Sequence, residues 1–133
     1  MANFLHTSTR KLWLDADLDM LVAVIKADLI DAADDTILVT DAYYDAILAA
    51  AIEETATLGT KTTTGGVFDS ADGVWSAAVG DPCEQVELWC DTAGISSTDP
   101  LIARYDTFVS GMPVTLNGGD VNWVVNASGW FAL

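Results

Sequence analysis

Alternating aspartates near the start of the chain are the residues best suited to bind a metal ion. Asp15, Asp17 and Asp19 imitate the first half of a calcium loop, where carboxylates at every second position supply oxygen ligands. Such a loop also needs glycine at its sixth position and glutamate at its twelfth, and this chain has Met20 and Lys26 there. We therefore expect no metal at this segment, and the three aspartates are predicted to be solvated.

The single histidine, His6, is the one side chain that could act as a general base with an ordinary pKa near neutrality. Residues 1–14 contain no carboxylate, so a Ser/His/Asp arrangement would require this segment to fold across the rest of the chain. Neither Gly65-Gly66 nor Gly118-Gly119 continues into a phosphate-binding loop. The sequence therefore predicts no catalytic residues and no cofactor, and we expect a protein that is not an enzyme.

The two cysteines are predicted to be free thiols. Cys83 and Cys90 lie seven residues apart. Within one strand an odd spacing places two side chains on opposite faces, so these two cannot bond to each other there. We expect Cys90 to lie in the core.

The composition excludes several classes of partner. The 133 residues include 20 Asp and Glu but only 5 Lys and Arg, for a net charge of −15. Such a charge repels phosphate backbones and anionic lipid surfaces, which argues against nucleic-acid and membrane binding. The hydrophobic fraction of 51% indicates a folded core. No apolar run reaches the roughly 18 residues of a membrane span, and the first residues do not follow a signal-peptide pattern.

Residues 1–14 differ in kind from residues 15–133. They carry Arg10, Lys11 and several apolar side chains but no acid, whereas the rest of the chain carries every acidic residue. We therefore predict an N-terminal arm over 1–14 that docks on another protein, and a single β-rich domain over 15–133 that folds without it. Trp89 is predicted on the outer face of its strand, where either a neighbouring element of the chain covers it or it contributes to an oligomer or partner interface, and it is therefore included with the arm as a candidate contact. The predicted partner-binding residues are Phe4, His6, Arg10, Lys11, Leu12, Trp13 and Trp89.

Most of the chain has strand patterning. Residues 84–91 alternate, which predicts that Leu88 faces the core while Glu87 and Trp89 face outward. Residues 18–30 are apolar at both parities, which is typical of either a helix or a central strand covered on both faces. A hairpin at Asn117-Gly118-Gly119 is predicted to join 112–116 to 121–125. Other strands are predicted at 36–40, 67–69, 74–79, 101–105 and 129–133.

One helix is predicted at about 41–54. Apolar side chains including Tyr44, Ile47 and Ala51 fall at helical spacing, and the alanines in this segment favour a helix. Short strands and glycine-rich turns after residue 55 favour a mainly β fold. The predicted fold class is therefore a β-sandwich or compact barrel with this one α-helix.

Three segments in the second half of the chain carry a family resemblance. They are GGVFDSADGVWSAAVGD (65–81), VELWCDTAGISSTDPLIARYDT (86–107) and GMPVTLNGGDVNWVVNASGWFAL (111–133). In order and spacing they resemble a family of small virion proteins of tailed bacteriophages. The resemblance covers residues 60–133 well and 10–55 loosely, and it departs at Cys90, where lysine is usual.

The resemblance implies a non-catalytic virion structural protein made in the host cytoplasm. The first interpretation is a capsid cement, or decoration, protein that binds the outer surface of the assembled major capsid protein and stabilises the shell. Its partners would be the phage major capsid protein and sister copies, because decoration proteins commonly act as homotrimers. The alternative is a tail or head-fibre component involved in host-surface recognition.

Overall fold

The computed structural model describes residues 3–108 and 110–133. The fold is mainly β with one α-helix, as predicted, and the described strands do not close into a barrel. A five-stranded antiparallel sheet is accompanied by two two-stranded sheets. In chain order the elements are β1 (Phe4–Leu5), α1 (Thr7–Leu14), β2 (Val24–Ile30), β3 (Ile52–Thr57), β4 (Val67–Phe68), β5 (Gly73–Trp75), β6 (Gln85–Asp91), β7 (Leu101–Tyr105), β8 (Val121–Trp123) and β9 (Phe131–Ala132).

The central sheet has the strand order β1-β7-β6-β2-β3. Strands β2 and β6 pair along their whole length, from Val24 opposite Asp91 to Ile30 opposite Gln85. A central strand buries both faces, so its apolar residues occur at both parities. For residues 18–30 the strand interpretation is therefore confirmed, with the strand beginning at Val24.

Strand β6 alternates as predicted, but its outer face is covered and not solvated. Leu88 lies in the main core, as expected, and Glu87 and Trp89 on the other face are also buried, so that coverage by a neighbouring element is confirmed for Trp89. Trp89 belongs to a second, smaller core on the opposite side of the sheet, together with Ile37 and Ile47. The segment between β2 and β3 folds over this side, so polar and aromatic residues that alternate in sequence are covered rather than solvated.

The predicted helix at 41–54 is also wrong. Only two short 3₁₀ turns form there, at Tyr44–Ala46 and Ala49–Ala51, and the chain then enters the edge strand β3. The backbone N–H of Tyr44 donates to the carbonyl of Asp99 in a distant loop instead of to a helical carbonyl. Burial of Ile47 and Ala51 in the second core thus outweighs the helix propensity of the alanines. The strand predicted at 36–40 is absent as well: residues 36–38 have no regular secondary structure, and residues 39–40 form a turn.

The only α-helix within the described residues lies in the predicted arm. Strand β1 pairs with β7, with Phe4 opposite Arg104, and α1 follows it directly. The buried hydroxyl of Thr9 donates to the carbonyl of Leu101, and the N–H of Thr7 donates to the carbonyl of Val39. These bonds join residues of the predicted arm to the five-stranded sheet and to the segment that follows β2.

The hairpin predicted at 117–119 does not form. Strand β8 pairs with β5, and β9 pairs with β4, so the C-terminal strands find their partners about fifty residues or more away in sequence. The turn itself is present, and the N–H of Gly118 donates to the carbonyl of Ala78. Cys83 and Cys90 are both free thiols, as predicted, and both are buried, which was predicted for Cys90 alone. Within the described residues, no helix is long and apolar enough to cross a membrane.

Candidate partner-binding site

His6 lies in a buried polar cluster and not on the surface. Its Nδ1 donates to the carbonyl of Asp41 at 2.8 Å, and its Nε2 is hydrogen-bonded to Glu87 at 2.9 Å. Arg104 donates from Nε to the other carboxylate oxygen of Glu87 at 3.2 Å and from Nη1 to Gln85. Both ring nitrogens of His6 are occupied and the side chain is completely buried, so it can neither meet a partner nor serve as a base for a solvent-borne substrate.

Burial also dominates the electrostatics of this cluster. It raises the pKa of the Glu87 carboxyl, while the hydrogen bond from His6 and the charge of Arg104 act in the opposite direction. Burial likewise lowers the pKa of Arg104, and Glu87 opposes that shift. Each charged group is therefore held by an internal partner, and the cluster fastens the N-terminal segment to β6 and β7.

Trp89 is a core residue as well. Its indole N–H donates to Asp28 at 2.9 Å, and the hydroxyl of Tyr44 donates to the second oxygen of the same carboxylate at 2.6 Å. The Tyr44 and Trp89 rings stack with centroids 4.0 Å apart. Burial raises the pKa of Asp28, and the hydrogen bonds from Tyr44 and Trp89 oppose the shift. Trp89 therefore does not belong to a partner-binding surface of this chain.

The surface best suited to a partner is an apolar groove at the C-terminal end of α1. Its volume is about 460 Å³. Rings from three parts of the chain form its wall: the Trp13 and Phe131 centroids are 5.3 Å apart, and those of Phe68 and Phe131 are 5.2 Å apart. The groove is lined by Trp13, Ala16, Leu18, Asp19, Met20, Thr63, Gly66, Phe68, Phe131 and Leu133.

Local backbone geometry brings these parts together. Helix α1 ends at Leu14, and Ala16 adopts a positive φ of 59°, which turns the chain so that Leu18 lines the groove. On the far side, Gly129 has φ 76°, and a Cβ there would lie 2.7 Å from the carbonyl oxygen of Phe68. Glycine thus allows β9 to approach β4, where Phe131 pairs with Phe68.

Exposed apolar side chains occur both in the groove lining and elsewhere in the neighbouring chain segments. Leu133 is 73% exposed in the groove lining, and Leu14 is 88% exposed at the end of α1. The loop that follows α1 also presents Val22, because Asp19 accepts hydrogen bonds from the N–H groups of Leu21 and Val22 and so fixes a turn. Of these three exposed side chains, Leu133 adds apolar area to the groove itself.

Of the predicted partner-binding residues, the structure places only Trp13 in this groove. Phe4 packs edge-on against His6, with ring centroids 5.1 Å apart, and is half-buried. Arg10 donates to the carbonyl of Leu5, and Lys11 pairs with Asp15, so both cations are engaged locally at the surface. Leu12 is half-buried in α1 and is not among the groove-lining residues.

The other groove-lining residues were not predicted from the sequence as partner-binding residues. Leu18, Phe68, Phe131 and Leu133 are distant from Trp13 in sequence, and no local spacing relates them. The final segment GWFAL was predicted as a core strand, and its aromatic content was the one available signal. Only the pairing of β4 with β9 brings these residues to α1.

A cluster of carboxylates lies elsewhere, and the sequence analysis also missed it. The side-chain oxygens of Asp31, Asp34, Glu53 and Asp81 lie within 4.8 Å of one another. Burial, reinforced by this negative field, raises the pKa of the nearby Cys83 thiol to about 12, so the thiol stays protonated and unreactive. Carboxylates are the ligands that hard cations prefer, but acidic surfaces also form such clusters without an ion. The direct physical consequence is mutual repulsion.

The comparisons with known proteins identify no relative of this chain. No protein-family model matches this chain, and no curated protein matches it. The function therefore has to be argued from the residues and from the surface that they form.

Proposed function

We propose that this protein is a non-catalytic structural protein of a phage virion, a capsid cement protein that binds the outer surface of the assembled major capsid protein and stabilises the shell. The observation that carries the proposal is the exposed apolar groove beside α1. Its aromatic wall and the exposed Leu133 give a protein partner apolar area to bury. The resemblance of residues 60–133 to small virion proteins supplies the phage context.

The distribution of charged groups supports binding rather than catalysis. Catalytic acids and bases require contact with substrate, and perturbed pKa values mark them when they line a cleft. Here the perturbed carboxyls Asp28 and Glu87 are completely buried and hydrogen-bonded to internal partners. Such groups connect segments of the chain that are distant in sequence.

A cement protein gains strength from several weak contacts. We propose a homotrimer on the capsid, in which three grooves engage neighbouring capsid subunits at once. Linking three sites raises the overall affinity without any new contact, because the second and third sites bind at high effective concentration. A shallow groove in each subunit is then sufficient.

The decisive experiment is quantitation of this protein in purified particles by gel densitometry or mass spectrometry. A cement protein is expected in hundreds of copies per virion and a fibre component in a few. Absence from particles would rule out both. Binding to purified shells should then be measured by co-sedimentation for Leu133→Ser and for the matched variant Val124→Ser. Both positions are highly exposed, at 73% and 80%, but Leu133 lines the groove and Val124 does not.

The alternative, a tail or head-fibre component for host-surface recognition, is favoured by one different feature. A second groove of about 260 Å³ is lined largely by hydroxyl-bearing and acidic side chains. Hydroxyls and a carboxylate are groups that bind sugars through hydrogen bonds. The polar residues that line it are Thr62, Thr64, Asp69 and Ser128. A low copy number together with glycan binding at these residues would select this alternative.

A further inference from the structure

We propose that the groove beside α1 binds a bulky apolar side chain that is flanked by Lys or Arg in an extended segment of the partner protein. This inference deepens the proposed function and rests on it, since it states the chemistry of the partner surface. It is carried by two independent features of the groove, its apolar wall and the sign of the charges around it.

The wall selects an apolar side chain. A groove of about 460 Å³ is in the range of sites that enclose a compact apolar group. Trp13, Phe68 and Phe131 present ring surfaces, and Leu133 contributes exposed apolar area at the opening. Rings in this arrangement bind aliphatic or aromatic side chains through burial and edge or face contacts.

The charged residues around the groove favour a partner segment with Lys or Arg beside its apolar side chain. Asp19 is the one charged side chain among the described groove-lining residues, and Asp17 is exposed on the same loop. The nearby cation Lys11 is already paired with Asp15. The chain as a whole carries a net charge of −15. An approaching segment therefore meets a negative potential, which attracts Lys and Arg and repels Asp and Glu.

The same charge argues against a second copy of this chain as the occupant. Two copies bring two strongly acidic surfaces together, and the cations of α1 are engaged by Leu5 and Asp15 within their own chain. A basic capsid segment meets no such repulsion. Occupation of the groove by a second copy remains a distinct outcome of the experiment.

Three blocked peptides that differ only in their flanks provide the test: Gly-Lys-Leu-Phe-Lys-Gly, its Ser-flanked version and its Glu-flanked version. Each is titrated into the isotope-labelled full chain and followed by NMR. The indole N–H of Trp13, which has no hydrogen-bond acceptor among the described residues, is the main reporter. We expect the Lys peptide to shift Trp13, Ala16 and Gly66 and to bind about tenfold more tightly than the Glu peptide at low salt. That ratio should fall towards one at about 0.5 M salt.

Matched variants locate the effect. Asp17→Asn should weaken the Lys peptide by about two- to threefold and leave the Ser peptide unchanged. Asp45→Asn, at an exposed aspartate on the 3₁₀ turn Tyr44–Ala46, should change neither. Leu133→Ser should weaken all three peptides, because it removes apolar area from the groove without adding a charge.

Several results would overturn the inference. Equal affinities for the Lys and Glu peptides would contradict the preference for positive flanks. Chemical-shift changes that fall outside the groove would contradict its assignment as the binding site. Absence of binding by all three peptides would also contradict the inference. Chemical-shift changes in the groove that depend on protein concentration alone would identify a second copy of this chain as the occupant. The outcome is separable from the proposed function. If the peptides do not bind but virions contain hundreds of copies of this protein, the cement role stands and the inference about the groove fails. If the Lys peptide binds but the protein is absent from virions, the groove is a binding site and the cement role fails.

Discussion

Nε2 of His6 lies 2.9 Å from Oε1 of Glu87, although the two residues are 81 positions apart, and both side chains are completely buried. Arg104 binds the other oxygen of the same carboxylate. A buried carboxylate without such partners would be strongly destabilised, because burial removes the water that stabilises its charge. The N-terminal segment thus completes a polar cluster that the rest of the chain cannot satisfy alone.

Removing the charge of Glu87 should therefore destabilise the fold. Glu87→Gln leaves the buried Arg104 without its counter-ion, and we expect a loss on the order of 3–5 kcal/mol in the free energy of unfolding. Urea denaturation followed by tryptophan fluorescence measures this. Glu54→Gln, on the half-buried edge strand β3, is the matched control and should change stability much less. Equal effects of the two substitutions would show that the cluster contributes little.

Deletion of residues 1–14 is expected to destabilise the protein and not merely to weaken partner binding. The deletion removes His6 from Glu87, removes the buried hydroxyl of Thr9, and exposes the edge of β7 where Phe4 pairs. Thermal denaturation of the deletion variant should show a lower Tm than the full chain. A deletion variant with the parental Tm would restore the prediction of an arm separable from its domain.

The stability of the protein should fall as the pH rises through the range in which Asp28 ionises. Burial raises the pKa of this carboxyl, so between its unfolded and folded pKa values the folded chain binds more protons than the unfolded chain. The contribution of Asp28 to stability is then greatest below the ordinary carboxyl pKa of about 4 and declines above it.

Asp28→Asn isolates the contribution of Asp28. The variant has no proton to lose at this position and can still accept a hydrogen bond from Trp89. Its Tm should therefore decline less than that of the parent between pH 4 and pH 7, by an amount that Asp45→Asn does not reproduce. Parallel pH profiles for parent and Asp28→Asn would contradict the shift.

Neutralising one member of the carboxylate cluster should stabilise the protein. Asp34 is exposed, and its carboxylate lies within 4.8 Å of those of Asp31, Glu53 and Asp81. Asp34→Asn removes like-charge repulsion, so we expect a higher Tm at low salt and a smaller gain at about 1 M salt, where screening is strong. Asp45→Asn again serves as the control. A gain that does not depend on salt would point to a cause other than repulsion.

Gly118→Val tests the backbone of the turn at 117–119. Gly118 has φ 85°, a region that a β-branched residue resists, and the nearest atom to a Cβ there, on Val79, is 3.9 Å away. The cost should therefore come from backbone strain and not from a clash, at about 1–3 kcal/mol. Gly118→Asn should cost less, because asparagine tolerates a positive φ. Equal melting temperatures for both variants and the parent would show that the turn relaxes.

Local pattern was sufficient for part of this fold. The strands β6 and β7, the mainly β class and the free thiols were predicted because each depends on residues that are close in sequence. For β2 the same local pattern left a helix and a central strand as the two interpretations. Alternation or an apolar run biases the backbone towards a strand wherever that strand later pairs. The same applies to the turn at Gly118, because glycine adopts the positive φ of this turn without steric cost.

Only the tertiary structure decided which side chains are covered. The helix predicted at 41–54 gave way to 3₁₀ turns, and Trp89 turned out to be buried, because both belong to a second core made by a segment folded over the sheet. The groove likewise exists only because β9 pairs with β4 beside Trp13. Sequence patterns report what a segment favours alone, whereas the burial of a particular face is set by contacts between segments that are distant in the chain.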